Sequence, residues 1–570
     1  MTNTIQTLDY VAIAIYMAFM AGIGIFFGWY VKDIGQYFKG GGTIPWFAGG
    51  ISNFMSMFST FVFVAHAGIA YEYGLVALLI IWSSVPPMLI AVAYFAKRWR
   101  RAGISSPVEF MEVRFNASVR QVFSWGGVLF RLLENMVRLY AIGLFIAAAT
   151  PLSLDVAIIA AGVIVVVYTV TGGLWAVIVT DAVQFIVLIC STLILIPLTF
   201  EAAGGLNQII NTVPEYFTLF NGPKGAPFYL LAYYVMIAIK FNGNWAFIQR
   251  FYSVKNEQAG RKMGVASAVL FLVFPLLFLL PPIAARVILP ELSNPEMAYV
   301  SVALEVLPTG IMGILLAAMF AATMSSLDSE YNVVANVITN DIYKRKVNPT
   351  ASDRKLMNVA RVVTLLVGGL VIGGAFFIGV FGGAFEANKL LTALFAIPLI
   401  IPVVMGVLFP RPKASGAIAS LVVGVAIGLV LNYLPYFSWE LSTLTAIAVC
   451  LIIFFVSGYV GQRKPEQEQS VRQFFQRLRT PVPVIEQAVI DPGFYRSIRL
   501  LFAIALVCTG LLFITMSIPS IGMLSGQLTL IVGMVCCTLS AMTYWLSKRK
   551  TKDQRSALAG KPAAKKTAQR

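Results

Sequence analysis

Charged residues are scarce in this chain. Asp, Glu, Lys and Arg make up 12% of its 570 residues, whereas 59% are hydrophobic. That charged fraction is about half the value for soluble globular domains, which excludes a water-soluble core as the main architecture. Long apolar runs recur, for example at residues 8–30, 74–96 and 153–171. Each is close to the ~20 residues that a helix needs to cross the hydrocarbon, so the sequence predicts an all-α polytopic membrane protein.

Cysteine is rare as well. The five cysteines fall inside apolar segments and lack the spacing of a metal site or a disulfide framework, so we assign them to helix packing. The chain has no nucleotide-binding motif of the G-x-x-x-x-G-K-[ST] type, so we do not expect ATP to be an energy source. We predict no catalytic residues and do not expect an enzyme.

The formal net charge of +17 fits either nucleic-acid binding or the topology of a membrane protein. Basic residues cluster in alternate connections between apolar segments and are nearly absent from the intervening ones, which favours topology over a nucleic-acid partner. The positive-inside rule then places the N-terminus outside and the C-terminus in the cytoplasm of a multi-pass protein of the cell inner (plasma) membrane. The basic clusters are at Lys32 and Lys39, residues 97–101, 250–262, 343–355, 411–413 and 463–479, and the tail from Lys548.

Two apolar segments contain helix breakers. One carries two glycines at 49–50 and then a serine- and threonine-rich stretch up to Thr60, and the other carries Asn-Gly-Asn at 242–244. Lipid cannot satisfy the freed backbone groups, so such interruptions line a cavity or bind an ion. Interrupted helices at matching positions of two halves are typical of inverted-repeat transporters with a midplane site.

Four stretches resemble the sodium/solute symporter family. TGGLWAVIVTDAVQ at 171–184 is similar to the signature at the start of its fifth core helix, and AATMSSLDS at 321–329 is similar to its eighth core helix. FSTFVFVAHAGIAYEYG at 58–74 resembles the end of the first core helix, and SPVEFMEVRF at 106–115 resembles the short cytoplasmic helix before the third.

The resemblance extends over about residues 8–460 and implies a leucine-transporter-type fold, with a five-plus-five inverted-repeat core and flanking helices. With the hydropathy pattern, it predicts about fifteen transmembrane helices and coupling to Na+. The expected divisions are an N-terminal extra helix and linker (1–43), a first repeat (44–200), an external connection (201–227), a second repeat (228–409), accessory helices (410–461), a cytoplasmic loop (462–497), two C-terminal helices (498–547) and a disordered basic cytoplasmic tail near anionic membrane lipid (548–570).

Sodium is a hard cation that binds several oxygen atoms, which serine hydroxyls and the carbonyls of a broken helix supply. By residue type alone, the serine pair at 325–326 is better explained by hydrogen bonds within or between helices. The family resemblance implies a sodium site instead. Its five ligands are the hydroxyls of Ser325 and Ser326 and the carbonyls of Met55, Phe58 and Ala322.

Some relatives in the family hold a second sodium with a fifth-helix aspartate and eighth-helix hydroxyls. The matching residues here are Asp181, Ser325 and Ser329, and this chain has Asp328 where those relatives have serine. An intramembrane carboxylate is costly unless it faces a partner, water or an ion. We interpret Asp328 as part of a second cation site or a proton-sensitive one. The alternative is that it pairs with a basic residue and holds helices together.

Charged residues inside the spans outline a solute site. Arg131, Glu134 and Arg138 share one face of the fourth span, and Lys240 lies in the seventh. Arginine suits bidentate binding of a carboxylate, which favours an anionic sugar acid or another carboxylate. An internal Arg–Glu–Arg network that neutralises itself explains the pattern equally well. The predicted solute-binding residues are Ser59, Thr60, Arg131, Glu134, Arg138, Lys240, Asn242 and Asn244.

These features predict a symporter that imports a small organic solute with sodium. Residues 61–62 and 270–272 are apolar where sugar transporters of the family carry polar side chains and a lysine, which argues against a galactose-like site. A neutral sugar or another solute is the alternative. A solute sensor and a sodium-selective channel are the alternatives of another class, although residues 462–497 and the tail leave no room for a kinase domain. The sequence assigns no oligomeric state.

Overall fold

The computed structural model describes residues 5–30, 44–104, 106–172, 174–482 and 492–559. Within these ranges, every regular element is a helix except for one isolated bridge between Ile44 and Val254. Hydrocarbon offers no hydrogen-bond partners, so each backbone group must be paired within the chain. The predicted all-α architecture is confirmed. Parts of three predicted segments lie outside the described residues, namely 31–43 of the linker, 483–491 of the loop and 560–570 of the tail.

Eleven helices in the described ranges are long and apolar enough to cross a membrane. The other four predicted spans correspond to two shorter apolar helices, Thr7–Met20 and Leu154–Val170, and to two interrupted helices. The number of fifteen crossings therefore stays a prediction. The eleven helices are Val76–Ala102, Ala117–Ala149, Val177–Ala202, Glu257–Ile288, Ile311–Val347, Asp353–Ala375, Ala384–Leu408, Ala414–Tyr433, Trp439–Val456, Phe502–Ser520 and Leu524–Trp545.

The first interrupted helix breaks in the predicted serine-rich stretch. Trp46–Met55 is α-helical, residues 56–59 lie outside any helix, and the chain resumes through a π-helical turn at Val62–His66. Close packing precedes the break, because a Cβ added to Gly50 would lie 2.9 Å from the Cβ of Ala266. The break leaves backbone carbonyls in the protein interior, where a cation can use them.

The second interrupted helix breaks at the predicted Asn-Gly-Asn sequence. Pro227–Asn242 ends before Gly243, and Trp245–Ser253 begins with Asn244 as its N-cap. The Asn244 side chain accepts a 3.2 Å hydrogen bond from the backbone N–H of Phe247. Asparagine is among the preferred N-cap residues because its side-chain oxygen satisfies a free N–H of the first turn. Asn244 therefore starts the second half of this helix.

The same order of elements occurs twice along the chain. Each series has one interrupted helix followed by four helices, as a five-plus-five repeat requires. The repeat boundaries given above stay predictions. The four helices are Val76–Ala102, Ala117–Ala149, Leu154–Gly172 and Leu174–Ala202 in the first series, and Glu257–Ile288, Ile311–Val347, Asp353–Ala375 and Ala384–Leu408 in the second.

Ile311–Val347 lies in the protein interior, and we refer to it as the core helix. All of its residues from 311 to 336 are buried. Asp9 of the first helix caps its N-terminus, because Asp9 Oδ1 accepts hydrogen bonds of 2.7 Å from the N–H groups of Gly310 and Gly313. A carboxylate at this end of a helix is also favoured by the helix dipole. The first helix is thereby fixed to the core.

Part of the predicted cytoplasmic loop is an ordered helix, Pro465–Arg479. Its Phe474 ring packs 5.7 Å from the ring of Phe110, and Arg101 donates a 3.0 Å hydrogen bond to the carbonyl of Leu478. Residues 465–479 of the predicted loop are therefore packed against the segments that carry Arg101 and Phe110.

The described residues 492–559 belong to a separate compact unit. Its helices, Pro492–Ser517 and Leu524–Ala559, pack against each other, and Ser540 Oγ donates a 2.6 Å hydrogen bond to the carbonyl of Ala503. The second helix extends through residues 548–559, where the sequence analysis placed the start of a disordered tail, and the extent of that tail stays a prediction. Lysine, arginine, glutamine and alanine are good helix formers, so the basic composition does not end the helix.

Candidate functional site

The break in the first interrupted helix faces the core helix. Ser326 Oγ lies 3.1 Å from the carbonyl oxygen of Met55 and 3.2 Å from that of Ala322. All three residues are buried. The oxygen atoms of three of the five predicted sodium ligands thus lie close together. Oxygen is the ligand atom that a hard cation such as sodium prefers. The contact between Ser326 and Met55 joins two elements that are about 270 residues apart in sequence, whereas Ser326 and Ala322 both lie on the core helix.

The other two predicted ligands lie close by. Ser325 is buried and directs its hydroxyl to the carboxylate of Asp181. Phe58 lies within the break and is fully buried, with its ring stacked at 4.7 Å on that of Phe54. Sodium ligation by the Phe58 carbonyl and by the Ser325 hydroxyl stays a prediction. Within the described residues, no cluster of three or more His, Cys, Asp or Glu residues suits a metal, whereas hydroxyls and carbonyls suit sodium.

Asp181 is the centre of a second buried polar network. Its carboxylate accepts hydrogen bonds from the hydroxyls of Ser52 and Ser325 and lies 3.7 Å from the guanidinium of Arg250. Arg250 also donates to Ser52 Oγ at 3.0 Å and to Ser329 Oγ at 2.8 Å. Three of the four residues predicted for a second sodium therefore share this network, which already contains one positive charge.

Asp328 does not share hydrogen bonds with that network. It accepts a hydrogen bond from the hydroxyl of Thr169, on a different helix. Successive residues of an α-helix are turned by about 100°, so Ser325 and Ser329 lie on one face while Asp328 points beside it. Asp328 therefore hydrogen-bonds to a different helix and has no basic partner among its described hydrogen bonds and ion pairs. A cation site shared by Asp328 and Asp181 stays a prediction.

The sequence analysis did not predict that Arg250 is buried. It falls in a basic cluster assigned to a cytoplasmic connection, yet it is fully buried in the last turn of Trp245–Ser253. Its position at the end of an apolar segment could have indicated burial. An arginine inside the membrane needs a carboxylate partner, and Asp181 is such a carboxylate.

The charged residues of the fourth span form a buried cluster with Lys240 and Glu330. Glu134 accepts from Lys240 at 2.9 Å, from Arg131 at 3.2 Å and from Arg138 at 3.4 Å. Glu330, on the core helix, lies 3.2 Å from Arg131 and 3.8 Å from Arg138. The sequence interpretation missed Glu330, although a carboxylate inside an apolar helix is itself a signal. The three cations and two carboxylates all lie within ion-pair distance of a partner.

A cavity lies beside this cluster and beside the break of the first interrupted helix. Four of the predicted solute-binding residues line it, namely Ser59, Glu134, Arg138 and Lys240. Apolar and aromatic side chains form most of the remaining wall, and Ser83 and Asn388 add polar groups that the sequence interpretation missed. The aromatic lining residues are Phe58, Phe61, Tyr233, Phe241 and Phe271.

The other four predicted residues are outside the described lining of this cavity. The backbone N–H of Thr60 donates to the hydroxyl of Thr323 at 3.2 Å, and the Thr60 hydroxyl donates to the carbonyl of Met319, both on the core helix. The Asn242 side chain donates to the carbonyl of Ala238 on its own helix. Asn244 is the N-cap described above. Arg131 packs behind the cavity, 5.6 Å from the ring of Trp245. The contacts described here are with other residues of the protein, and a role of these four residues in solute binding stays a prediction.

Comparisons with known proteins agree with this geometry. The model of the sodium:solute symporter family matches residues 37–424. The chain is 28% identical over 474 residues to the sodium/glucose cotransporter of Vibrio parahaemolyticus, covering 75% of this chain and 86% of the relative. It is 25% identical over 438 residues to the sodium/sialic acid symporter of Aliivibrio fischeri, covering 74% and 86%.

A solved structure shows the same fold. A Na+-coupled sialic acid symporter in a substrate-bound, outward-open state superposes with a TM-score of 0.72 at 21% identity, over 80% of this chain and 98% of that chain. The predicted leucine-transporter-type fold with a repeated core is confirmed.

Proposed function

The chain belongs to the sodium:solute symporter family, and we propose that it imports a small organic anion, a sugar acid or another carboxylate, together with sodium across the cell inner membrane. One observation carries the proposal. The break of the first interrupted helix contributes Met55 to the oxygen cluster around Ser326 and, four residues later, Ser59 to the wall of the cavity. Sodium and solute would therefore act on the same few residues.

Arg138 is the group best placed to bind a carboxylate. Lys240 is committed to Glu134 at 2.9 Å and to Thr392 at 2.9 Å, whereas Arg138 approaches the carboxylates of Glu134 and Glu330 only at 3.4 and 3.8 Å. Arg138 lines the cavity, and its Nη1 donates a 3.1 Å hydrogen bond to Asn135 Oδ1. A planar guanidinium has further N–H groups whose geometry matches a carboxylate, so a solute carboxylate would bind to these.

The chemistry of the remaining cavity wall suits a small polyhydroxylated acid. Aromatic side chains offer faces for the apolar side of a sugar-like solute, and Ser59, Ser83 and Asn388 offer hydrogen bonds to hydroxyls. Among the relatives, a sodium/sialic acid symporter and a sodium/glucose cotransporter represent an acidic and a neutral solute. The buried cations of this chain favour the acidic class.

Sodium would couple to the solute through the helix break. A cation between the Met55 carbonyl and the Ser326 hydroxyl holds the broken helix against the core helix, which fixes Ser59 and its neighbours in the cavity wall. Entry of each sodium down an inside-negative potential releases ~2.3 kcal/mol per 100 mV, before its concentration gradient is counted. This energy drives the solute inward.

Transport by the purified protein in proteoliposomes tests this function. With sodium outside and an inside-negative potential, labelled gluconate should accumulate, and replacement of sodium by choline should stop accumulation because the driving ion is absent. Sodium flux that needs no solute would identify a channel. Accumulation of glucitol without gluconate would identify a neutral-solute symporter, and sodium-independent solute binding without flux would identify a sensor.

Ser326→Ala should raise the half-saturating sodium concentration about 10- to 100-fold, because it removes one oxygen ligand of the cation. We take this loss as comparable to loss of a hydrogen bond to a charged group, about 1.5–3 kcal/mol. The matched control is Ser420→Ala, because Ser420 is a buried serine that donates to the carbonyl of Cys450 at 3.1 Å, between two accessory helices. Equal sodium dependence of the two variants would remove Ser326 from the sodium site.

The proposed orientation places the N-terminus outside and the C-terminus in the cytoplasm. Asn211 is exposed on Leu206–Thr212, in the predicted external connection, and Gln467 is half-buried on Pro465–Arg479, in the predicted cytoplasmic loop. Single cysteines at these positions in a cysteine-free background should react with an impermeant maleimide from opposite sides of the membrane. Labelling of both from the same side would overturn the orientation.

A further inference from the structure

Glu330 is a buried carboxylate that the proposed function does not use. It lies on the core helix, and its side chain is fully buried in the protein interior. Glu330 is not among the described residues that line the cavity. Its Oε1 faces the guanidinium groups of Arg131 and Arg138, at 3.2 and 3.8 Å, and its Oε2 has no hydrogen-bond partner in the part of the chain that the structure describes. The hydrogen bond from Arg131 engages only Oε1, so hydrogen bonding alone does not account for a carboxylate here.

The charge balance of the cluster does account for it. Arg131, Arg138 and Lys240 face the two carboxylates Glu134 and Glu330, so the cluster in its ordinary charged forms has an excess of one positive charge. Among the described lining residues, the Asp, Glu, Lys and Arg side chains of the cavity all belong to this cluster.

Arg250 and Asp181 form a separate buried ionic network, which does not change this balance. Arg250 and Asp181 lie 3.7 Å apart and are both fully buried, so their charges cancel within their own pair. An excess charge in a buried site is strongly unfavourable unless a counter-charge is supplied. A solute with one carboxylate supplies it when it enters the cavity beside Arg138.

We infer that Glu330 sets the charge of the solute that this site accepts, by cancelling all but one of the positive charges around the cavity. The inference rests on the proposed function and deepens it, since it makes the preferred solute a monoanion. Glu330 is a positioning residue: it acts on the solute through Arg138 and Arg131 and does not touch the solute. Arg131 contributes in the same way, because it lies behind the cavity wall and adds charge without lining the cavity.

A charge ladder of matched compounds tests the inference. Glucitol, gluconate and glucarate share one carbon skeleton and carry no, one and two carboxylates. Half-saturating concentrations are measured by the thermal stabilisation of the full-length purified protein, in sodium chloride and in choline chloride. Wild type should bind gluconate most tightly of the three compounds. The thermal stabilisation by gluconate should be larger in sodium chloride than in choline chloride.

Three variants test how the net charge of the cluster determines the preferred solute. Glu330→Gln keeps the shape and raises the excess to two, so the preference for glucarate over gluconate should rise at least about tenfold, because buried charges interact strongly over these distances. Arg131→Gln together with Glu330→Gln returns the excess to one and should restore the preference for gluconate. Glu330→Asp keeps the charge and should keep the wild-type order. Glu257→Gln is the matched control. Glu257 forms a 2.8 Å ion pair with Arg101, and neither residue is among the described residues that line the cavity.

The outcomes separate this inference from the proposed function. If Glu330→Gln binds none of the compounds but the double variant binds gluconate, the charge role is supported. If neither binds, or if Glu330→Gln keeps the wild-type order, Glu330 has a structural role and the inference is overturned. Tighter binding of glucarate by wild type would also overturn it while leaving carboxylate transport intact. A wild-type protein that responds only to glucitol, or to none of the three, would contradict the proposed function itself.

Discussion

Arg138→Gln should reduce sodium-dependent carboxylate uptake at low solute concentration by about 100-fold or more. Arg138 lines the cavity, and its distances to Glu134 and Glu330, 3.4 and 3.8 Å, are longer than the 3.2 Å distances of Arg131 to the same two carboxylates. Loss of one partner from a buried, hydrogen-bonded charge pair costs about 2–5 kcal/mol, and each 1.4 kcal/mol is a tenfold change. The measurement is initial uptake of labelled gluconate by proteoliposomes, over a range of gluconate concentrations.

The conservative variant separates charge from geometry. Arg138→Lys keeps the positive charge but loses the planar fork, so its defect should be intermediate, about tenfold. Arg472→Gln is the control, because Arg472 lies in an exposed ion pair with Glu468 on Pro465–Arg479. Uptake by Arg138→Gln that matches uptake by Arg472→Gln would exclude Arg138 from solute recognition.

Arg250→Gln should strongly destabilise the folded protein. Asp181 and Arg250 are both fully buried, and the guanidinium is the positive charge nearest to the carboxylate, at 3.7 Å. Removal of one partner of a buried ion pair costs about 3–5 kcal/mol, because the other charge is left without compensation. We expect a clear fall in the apparent melting temperature of the purified protein, measured by intrinsic fluorescence.

The partner variant and the double variant make this a thermodynamic cycle. Asp181→Asn leaves Arg250 uncompensated and should destabilise the protein as well, whereas Asp181→Asn combined with Arg250→Gln should recover much of the loss, because no buried charge remains. Arg101→Gln is the control, since its pair with Glu257 is partly exposed and such pairs contribute about 1 kcal/mol or less. Additive losses in the double variant would contradict a direct pairing.

The same network bears on the predicted second sodium. Asp181, Ser325 and Ser329 do lie together, as the family resemblance implied, but Arg250 also lies among them and supplies a positive charge. Asp328, which the sequence analysis grouped with them, hydrogen-bonds to Thr169. Occupation of this network by sodium stays a prediction, and the stability cycle on Arg250 and Asp181 measures how strongly the built-in charge pair holds.

Several features follow from the sequence without the structure. The scarcity of charge and the recurring apolar runs determine that the membrane is the solvent, because hydrocarbon accepts only such segments. The two breaks follow from glycine, asparagine and serine in apolar surroundings, since only a lined cavity tolerates a free backbone there. The motif around Ser325 and Ser326 also leads to Met55 and Ala322, and the structure brings Ser326 within 3.2 Å of both carbonyl oxygens.

Tertiary structure alone decided which charges are paired and which side chains reach the cavity. Whether Arg250 lies in a loop or in the interior depends on Asp181, 69 residues away, and the environment of Arg138 depends on Glu330 of another helix. Local composition cannot contain that information, because the free energy of a buried charge is set by partners that only packing brings near. Helical phase decided the rest: Asn244 became a cap and Asp328 faced Thr169, while Ser59 and Arg138 faced the cavity.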